Sequence, residues 1–462
     1  MSTSIPVRNL ATDAVAGSKI HPRKFRGFFR RIRIAGGALL FILFFGTVWL
    51  SWGGRQAVLW DLTEKQFHIF GSTFWPQDLV LLSAILIICA FGLFFLTVMA
   101  GRVWCGYTCP QSVWMWIFMW AERVTEGDRN QRKKLDQAPL SVAKLCKRTI
   151  KHGLWIVLSL ATAVTFVGYF TPIRELVTNI LTLEVSGAAA FWVFFFTAAT
   201  YLNAGWLREK VCVHMCPYGR FQSSMLDKDS LVISYDAARG ESRGARKPGS
   251  DYLSQGLGDC IDCHMCVQVC PTGIDIRDGL QMECIGCAAC IDACNSIMDK
   301  MGYATGLIRY TSERALQEGG PLRIFRPRLV AYGVLLVSFI AILVWAMVSR
   351  PMASFDVTKD RGLFRYNDYG QIENSYVLTV LNKSHHAQAF TLSVSGVAGL
   401  TLIDDTRFYV GPGERLEQPV SVAANPDELQ SSLVDIKFRL NAAEDPGGDL
   451  VQESVFTGAR QQ

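Results

Sequence analysis

Five apolar runs, at about residues 34–52, 78–100, 153–169, 187–207 and 329–348, approach or reach the roughly 20 residues that cross a bilayer as a helix. No other feature narrows the fold as far, because backbone in lipid must satisfy its own polar groups and does so as helix or closed barrel. The first run differs from a cleaved secretion signal. Its apolar stretch is too long, the segment before it is far too long, and no small-x-small site follows in LSWGGR, so it is expected to stay as an anchor.

Charge orients the expected bundle. Residues 1–33 and 101–152 hold eight and ten Lys and Arg, against two in 53–77 and one in 172–186. The positive-inside rule then puts the N-terminus, the 101–152 loop and residues 208–328 in the cytoplasm, and an odd number of spans puts the C-terminal region outside. The net charge of +6 raises nucleic acid as a partner, but the basic residues flank apolar runs, so the lipid bilayer is expected instead and no nucleic acid. Tryptophans 52, 104, 114, 116, 155 and 206 cluster near span ends, as interfacial anchors do. WMWIFMW (114–120) is too short to span and reads as an interfacial or partly buried helix. The basic segment 1–33 is expected to lack order up to the membrane surface.

Beyond the fifth run the period changes. Residues 375–382, 389–396, 407–412, 418–424, 434–442 and 453–458 alternate apolar and polar side chains between turn residues, which predicts a small all-β domain, an immunoglobulin-like sandwich without a disulfide. His385 and His386, adjacent near a turn, read as solvated rather than as metal ligands.

Twelve of the 14 cysteines fall into spaced groups and none follows residue 294, which argues against a secreted disulfide framework. Cys260-x2-Cys263-x2-Cys266-x3-Cys270-Pro271 is followed by Cys284-x2-Cys287-x2-Cys290-x3-Cys294. Three closely spaced thiolates wrap three irons of a cubane, and the fourth cysteine of each run is placed to ligate the partner cluster. Two [4Fe–4S] clusters are therefore expected, one on Cys260, Cys263, Cys266 and Cys294, the other on Cys284, Cys287, Cys290 and Cys270. Zinc sites use CxxC pairs with a longer gap, so zinc fits this doubled pattern poorly. Asn295 stands where the bacterial dicluster pattern has proline, which touches local rigidity rather than ligation. His264 reads as a neighbour of the ligands or a surface residue. The Gly- and Arg-rich stretch 236–258 reads as a linker before this block.

A second pair of motifs matches itself: Cys105-x3-Cys109-Pro110 and Cys212-x3-Cys216-Pro217, each just after a run that exits into the cytoplasm. Proline favours the first helical position, so Cys109 and Cys216 are expected at helix N-termini. There the dipole and Arg102, Arg208 and Lys210 are expected to lower thiol pKa values. Four soft sulfurs, with His214 and Met215 adjacent, suit Cu(I) or a redox-active dithiol; structural zinc or plain thiols are the alternatives. Cys89 and Cys146 are isolated and receive no role. His68 and His152 flank spans, but no histidine pair at helical spacing lies inside one, so a bis-histidine membrane haem is not supported.

GRVWCGYTCPQSVWMW, VCVHMCPYGRFQ, the block CIDCHMCVQVCPTGIDIRDGLQMECIGCAACIDACNSIMDKM, the order of spans and the β-rich tail together resemble the FixG/RdxA/CcoG family of cytochrome c oxidase accessory proteins. The likeness runs from about residue 30 to the C-terminus. It implies an assembly factor for the cbb-type haem–copper oxidase that reduces Cu(II) to Cu(I), with Cys105, Cys109, Cys212 and Cys216 as copper-facing thiols and the eight ferredoxin cysteines as the relay. The expected chain is a multi-domain protein of the bacterial inner membrane: a five-helix transmembrane bundle with a cytoplasmic dicluster ferredoxin-like α+β insert and a periplasmic immunoglobulin-like sandwich. Its expected segments are a tail (1–33), four spans with the first CxxxCP loop (34–207), the second CxxxCP element and linker (208–259), the dicluster domain (260–300), a connector (301–328), the fifth span (329–350) and the β domain (351–462). Expected partners are a cytoplasmic electron donor, a copper chaperone or transporter, and cytochrome c oxidase subunits. Two other functions compete: a quinol-coupled electron conduit, and a non-enzymic assembly scaffold with sensing clusters.

Overall fold

The computed structural model describes residues 19–458 apart from 322, 324, 350, 351, 363, 385, 397, 398, 430 and 443–448, so residues 1–18 of the expected tail, and His385, lie outside the described residues. The chain forms two compact units, Met1–Leu343 and Val344–Gln462.

The first unit opens with α1 (Phe28–Thr47), the short pair β1 (Ser51–Trp52) and β2 (Arg55–Gln56), and an antiparallel sheet of β3 (Val58–Asp61), β4 (Gln66–Ile69) and β5 (Ser72–Phe74). Then come α2 (Leu79–Ala100), α3 (Val103–Tyr107), α4 (Pro110–Glu126), α5 (Arg129–Gln137), α6 (Val142–Val167), α7 (Ile173–Thr182) and α8 (Gly187–Thr200), the last continued by a π-helical turn to Leu207. A second π turn, Val211–Met215, precedes α9 (Pro217–Met225), β6 (Val232–Tyr235), α10 (Ala237–Gly240), α11 (Met265–Val269), α12 (Ala289–Met301), β7 (Ile308–Thr311) and α13 (Pro327–Val348).

Among the described residues four helices are long and apolar enough to span a membrane: Leu79–Ala100, Val142–Val167, Gly187–Leu207 and Pro327–Val348. The run expected over 34–52 is not among them. Its helix starts at Phe28, within the basic segment, so Arg30, Arg31 and Arg33 enter it, and it stops at Thr47 before the β1 turn. WMWIFMW lies inside α4 and buries Met115, Phe118 and Met119, as a partly buried helix does.

Residues 19–26 correct the expectation of an unordered tail. They form an extended strap held by groups already committed to the fold: the Arg23 backbone N–H donates to the Gln268 carbonyl at 2.8 Å, and the side chain of buried Arg132 donates to Pro22 O at 2.8 Å. Buried His21 meets Asp136 at 2.8 Å. Beneath the strap Glu122, fully enclosed, takes Lys19 at 3.2 Å, Arg132 at 2.8 Å and Arg208 at 3.4 Å. Burial pushes the Glu122 carboxyl up, but Arg208, Lys19 and Arg132 outweigh it and hold it below the usual carboxylate value. Asp292 of α12 accepts from the Phe29 and Arg30 N–H groups at 3.1 and 2.7 Å, satisfying donors that the first turn of α1 leaves unpaired.

The stretch 236–258 is also tied down. Arg239 pairs with Asp259 at 2.5 Å, and Arg246 donates to Gly258 O at 2.6 Å and lies over the Tyr252 ring. Antiparallel pairing of β6 with β7 brackets the cysteine block from both sides.

In the second unit β8 (Ala353–Lys359), β9 (Arg365–Tyr366), β10 (Ile372–Asn382), β12 (Thr401–Leu402) and β14 (Arg415–Ala424) make one antiparallel sheet, and β11 (Gln388–Ser395), β13 (Arg407–Val410), β15 (Leu433–Ala442) and β16 (Leu450–Thr457) make another. Alternate residues of both sheets share one core: Tyr376, Leu378, Val380 and Val422 from the first, Phe390, Leu392, Ile436 and Phe438 from the second. All six expected strands form. β8, β9 and β12 join them, and the His386 carbonyl accepts from Asn382 Nδ2 at 2.7 Å.

Candidate iron–sulfur and thiol centre

The two cysteine runs fold with one backbone pattern. The residues on either side of the second cysteine are left-handed in both: Asp262 (φ 51°) and His264 (φ 52°) around Cys263, Gly286 (φ 65°) and Ala288 (φ 56°) around Cys287. That turn curls each CxxC segment before α11 and α12, which start immediately after His264 and Ala288.

The fourth cysteine of each run crosses to the other. Cys260, Cys263, Cys266 and Cys294 line one cavity, closed by Tyr235, Met298 and Leu307. Cys270, Cys284, Cys287 and Cys290 line another, with Cys266 also on its wall. Burial, with Cys263 adding to it, pushes the Cys266 and Cys294 thiols up to about 12. Cys284 is likewise pushed up to about 12 by burial and then by Cys287 and Cys270, while Cys290 is raised by burial and by Cys287, Cys284 and Cys270. Enclosed thiols that repel one another as thiolates are stable in that form only around positive charge. Among the described residues no three His, Cys, Asp or Glu side chains stand close enough to hold a single metal ion. A cubane spreads its thiolates over four irons, so the donor chemistry and the crossed sets fit two [4Fe–4S] clusters.

Cys109 and Cys216 cap α4 and α9, each followed by proline at the first helical position, as the motif predicts. The two CxxxCP elements meet. The Cys105 thiol lies 3.5 Å from Gln222 Oε1 of α9, and Gln222, buried, donates to Gly101 O at 3.1 Å. Cys105 and Cys212 pack into one core with Cys287, Met115 and Met119. The expected lowering of thiol pKa does not extend to this pair. Burial pushes both up to about 12, and the other CxxxCP thiols add to it; Arg102 lowers Cys105 but is outweighed. Desolvation of a thiolate here exceeds the pull of one neighbouring cation. His214 and Met215 are exposed.

The joint between these thiols and the ferredoxin block is made of backbone. A Cβ on Gly106, in α3, would stand 2.7 Å from Gly286 O and 2.9 Å from Cys287 Cα, and one on Gly286 would stand 2.9 Å from Arg102 O. Arg102 donates to Met282 O, to Cys284 O at 2.9 Å and to Gly219 O at 2.8 Å, so one guanidinium links both CxxxCP elements to the second cysteine run. Buried Arg277 holds the first run. It pairs with Asp275 and Asp262, each at 2.6 Å, and its Nη2 lies 2.8 Å from His264 Nδ1, which places His264 beside the ligands. Spacing had not marked Gln222 or Arg277 for these roles, since each acts on a thiol or loop far away in sequence or by a turn with no motif of its own. Cys89 and Cys146 stand apart and exposed, and His152 Nδ1 is taken by the Tyr201 hydroxyl at 2.8 Å.

Two family models cover this architecture: a 4Fe-4S dicluster domain over residues 207–313, and the IG-like fold at the C-terminus of FixG over 343–459. The nitrogen fixation protein FixG of Rhizobium meliloti is 34% identical, aligned over 96% of this chain and 91% of its own. Protein RdxA of Cereibacter sphaeroides is 36% identical over 96% of this chain and 97% of its own. A crystal structure of a FixG-related protein from Vibrio parahaemolyticus is 32% identical over 23% of this chain and 96% of that one, with a TM-score of 0.22. With this coverage on both sides, from the first helix through the cysteine runs to the β-rich unit, the chain belongs to the FixG/RdxA/RdxB family.

Proposed function

We propose that the chain is a cupric reductase of the bacterial inner membrane that serves assembly of the cbb-type cytochrome c oxidase. The observation that supports this most is the shared core of Cys105, Cys212 and Cys287, reinforced by the backbone contact of Gly106 with Cys287. Cu(II) is the substrate. Cys105, Cys109, Cys212 and Cys216 draw together around it on binding, and a soft sulfur set favours the monovalent ion, so one electron per copper gives Cu(I). Cys260, Cys263, Cys266 and Cys294 would hold one [4Fe–4S] cluster and Cys270, Cys284, Cys287 and Cys290 the other. Bound there, they would supply one-electron relays.

The residues give the path a direction. Cys263 and His264 are exposed, so a cytoplasmic electron donor docks at the first run; the second run abuts the thiols. We take α1 as a fifth span, with Arg30, Arg31 and Arg33 at its cytoplasmic end; on that odd count the positive-inside rule favours a periplasmic immunoglobulin-like unit that faces oxidase subunits. Cu(I) passes to a copper chaperone or transporter.

The test uses full-length, anaerobically purified protein with all four CxxxCP cysteines changed to serine. Once reduced with dithionite, the native protein is expected to form Cu(I) from Cu(II), read with a Cu(I)-specific chelator. The variant is expected to lose this while keeping its visible iron–sulfur absorption. Unchanged copper reduction in the variant sinks the assignment.

A further inference from the structure

Arg33 of α1 is 7% exposed, and none of its three guanidinium nitrogens has a hydrogen-bond partner. Aromatic faces surround it instead: its Cζ lies 4.5 Å from the Trp116 ring centroid, 5.7 Å from Phe25 and 6.0 Å from Tyr107. Such faces attract a cation, yet they leave all five N–H donors unsatisfied and the charge uncompensated. A buried charge with neither carboxylate nor acceptor is a costly arrangement for a chain to keep.

Arg33 lines a cleft of about 470 Å³ between α1 and α4, together with Arg30 and Arg123. Among the described residues no ion pair forms at any of these three arginines, although Arg30 stands within electrostatic reach of Arg33, and Arg123 of Arg30. The nearby carboxylates are occupied, Asp128 beside Arg123 among them at the N-terminus of α5. Asp292 is spent on the N–H groups of Phe29 and Arg30, and Glu122 on Lys19, Arg132 and Arg208. The rest of the wall is apolar, including Ile34, Phe41 and Ile117. Cations at one end and an apolar slot at the other describe the complement of an anionic amphiphile. The cationic end coincides with the basic start of α1, where headgroups of the inner leaflet lie. Among the described residues no carboxylate or histidine lines the cleft to receive the protons a quinol gives up on oxidation, and a permanent anion matches its three arginines better.

We propose that this cleft holds one anionic phospholipid, its phosphate against Arg33, Arg30 and Arg123 and an acyl chain along the wall of α1 and α4. The lipid supplies the acceptors that Arg33 lacks and closes the gap between the first helix and the thiol-bearing core.

Full-length protein in detergent tests this by native mass spectrometry and thermal unfolding with phosphatidylglycerol, phosphatidylcholine or inorganic phosphate added. Phosphatidylglycerol is expected to be retained and to raise the midpoint; phosphatidylcholine and phosphate are not. Arg33→Gln is expected to weaken retention roughly tenfold, as loss of one charge-assisted hydrogen bond implies. Because that buried change can impair folding, Arg123→Gln at the cleft edge gives the same readout and is expected to move the same way. Equal retention of both lipids, unchanged retention in Arg123→Gln, or protection by inorganic phosphate alone overturns the proposal.

Discussion

In the first cysteine run, Cys263 and His264 reach solvent; in the second, Cys287 and Ala288 at the same places are enclosed, and Ala288 has no exposed surface. The backbone turns are alike in both. What differs is the neighbourhood: two aspartates and Arg277 around the first, the α3 and α9 motifs around the second. A duplicated loop has thus been given one open edge and one docked edge, and an electron route needs both.

Removing one ligand from each run breaks the comparison most strongly. Cys287→Ser is expected to lose about half the bound iron and also to loosen the core it shares with Cys105 and Cys212. Cys263→Ser, at the exposed edge, is expected to lose iron from its own site while leaving the unfolding midpoint of the membrane unit nearly unchanged. Iron and sulfide analysis with thermal unfolding checks both, and matching losses of stability would erase the distinction. Next in size, Arg102→Gln gives up three carbonyl acceptors at the docked edge and is expected to cost about 3 kcal/mol. Chemical unfolding measures it, and a cost within error of zero would mean that Arg102 does not join the motifs.

Gly106→Ala sharpens the same point. Its new methyl meets backbone at 2.7 Å, which overpacking puts at about 1–3 kcal/mol, and the wider gap is expected to slow copper reduction in stopped-flow traces. Smallest is Arg277→Gln at the open edge. Removing a cation that lines the first cavity is expected to make one of the two potentials more negative, on the order of 50 mV. An EPR-monitored titration reads this, and a shift of both potentials by the same amount would deny that the runs sit in separate surroundings.

The cysteine spacing predicted two crossed sets, and two cavities gather those same cysteines, Cys294 with the first run and Cys270 with the second. Of the five apolar runs, four became helices long and apolar enough to span a membrane. Other parts carried no local signal. Arg277 and Arg102 act through carbonyls and carboxylates up to 182 residues away, and nothing in their immediate sequence distinguishes them from surface arginines. The raised thiols of Cys105 and Cys212 had no signal for a related reason: helix position and neighbouring charge are visible in a motif, whereas burial beside Met115, Met119 and Ile285 depends on the tertiary fold. Arg30, Arg31 and Arg33 drew the start of α1 back into the basic segment, because Asp292, far along the chain, caps that turn.

The strap of residues 19–26 bears on how the molecule is made. Arg23 pairs with Gln268, a separation of 245 residues, and Asp292 completes the first turn of α1. A chain leaves the ribosome N-terminus first. Its opening segment can therefore meet Arg132 and Asp136 early, but the contacts with Gln268 and Asp292 wait until the cysteine runs have been translated and folded, so the start of α1 is fixed only when that core is in place.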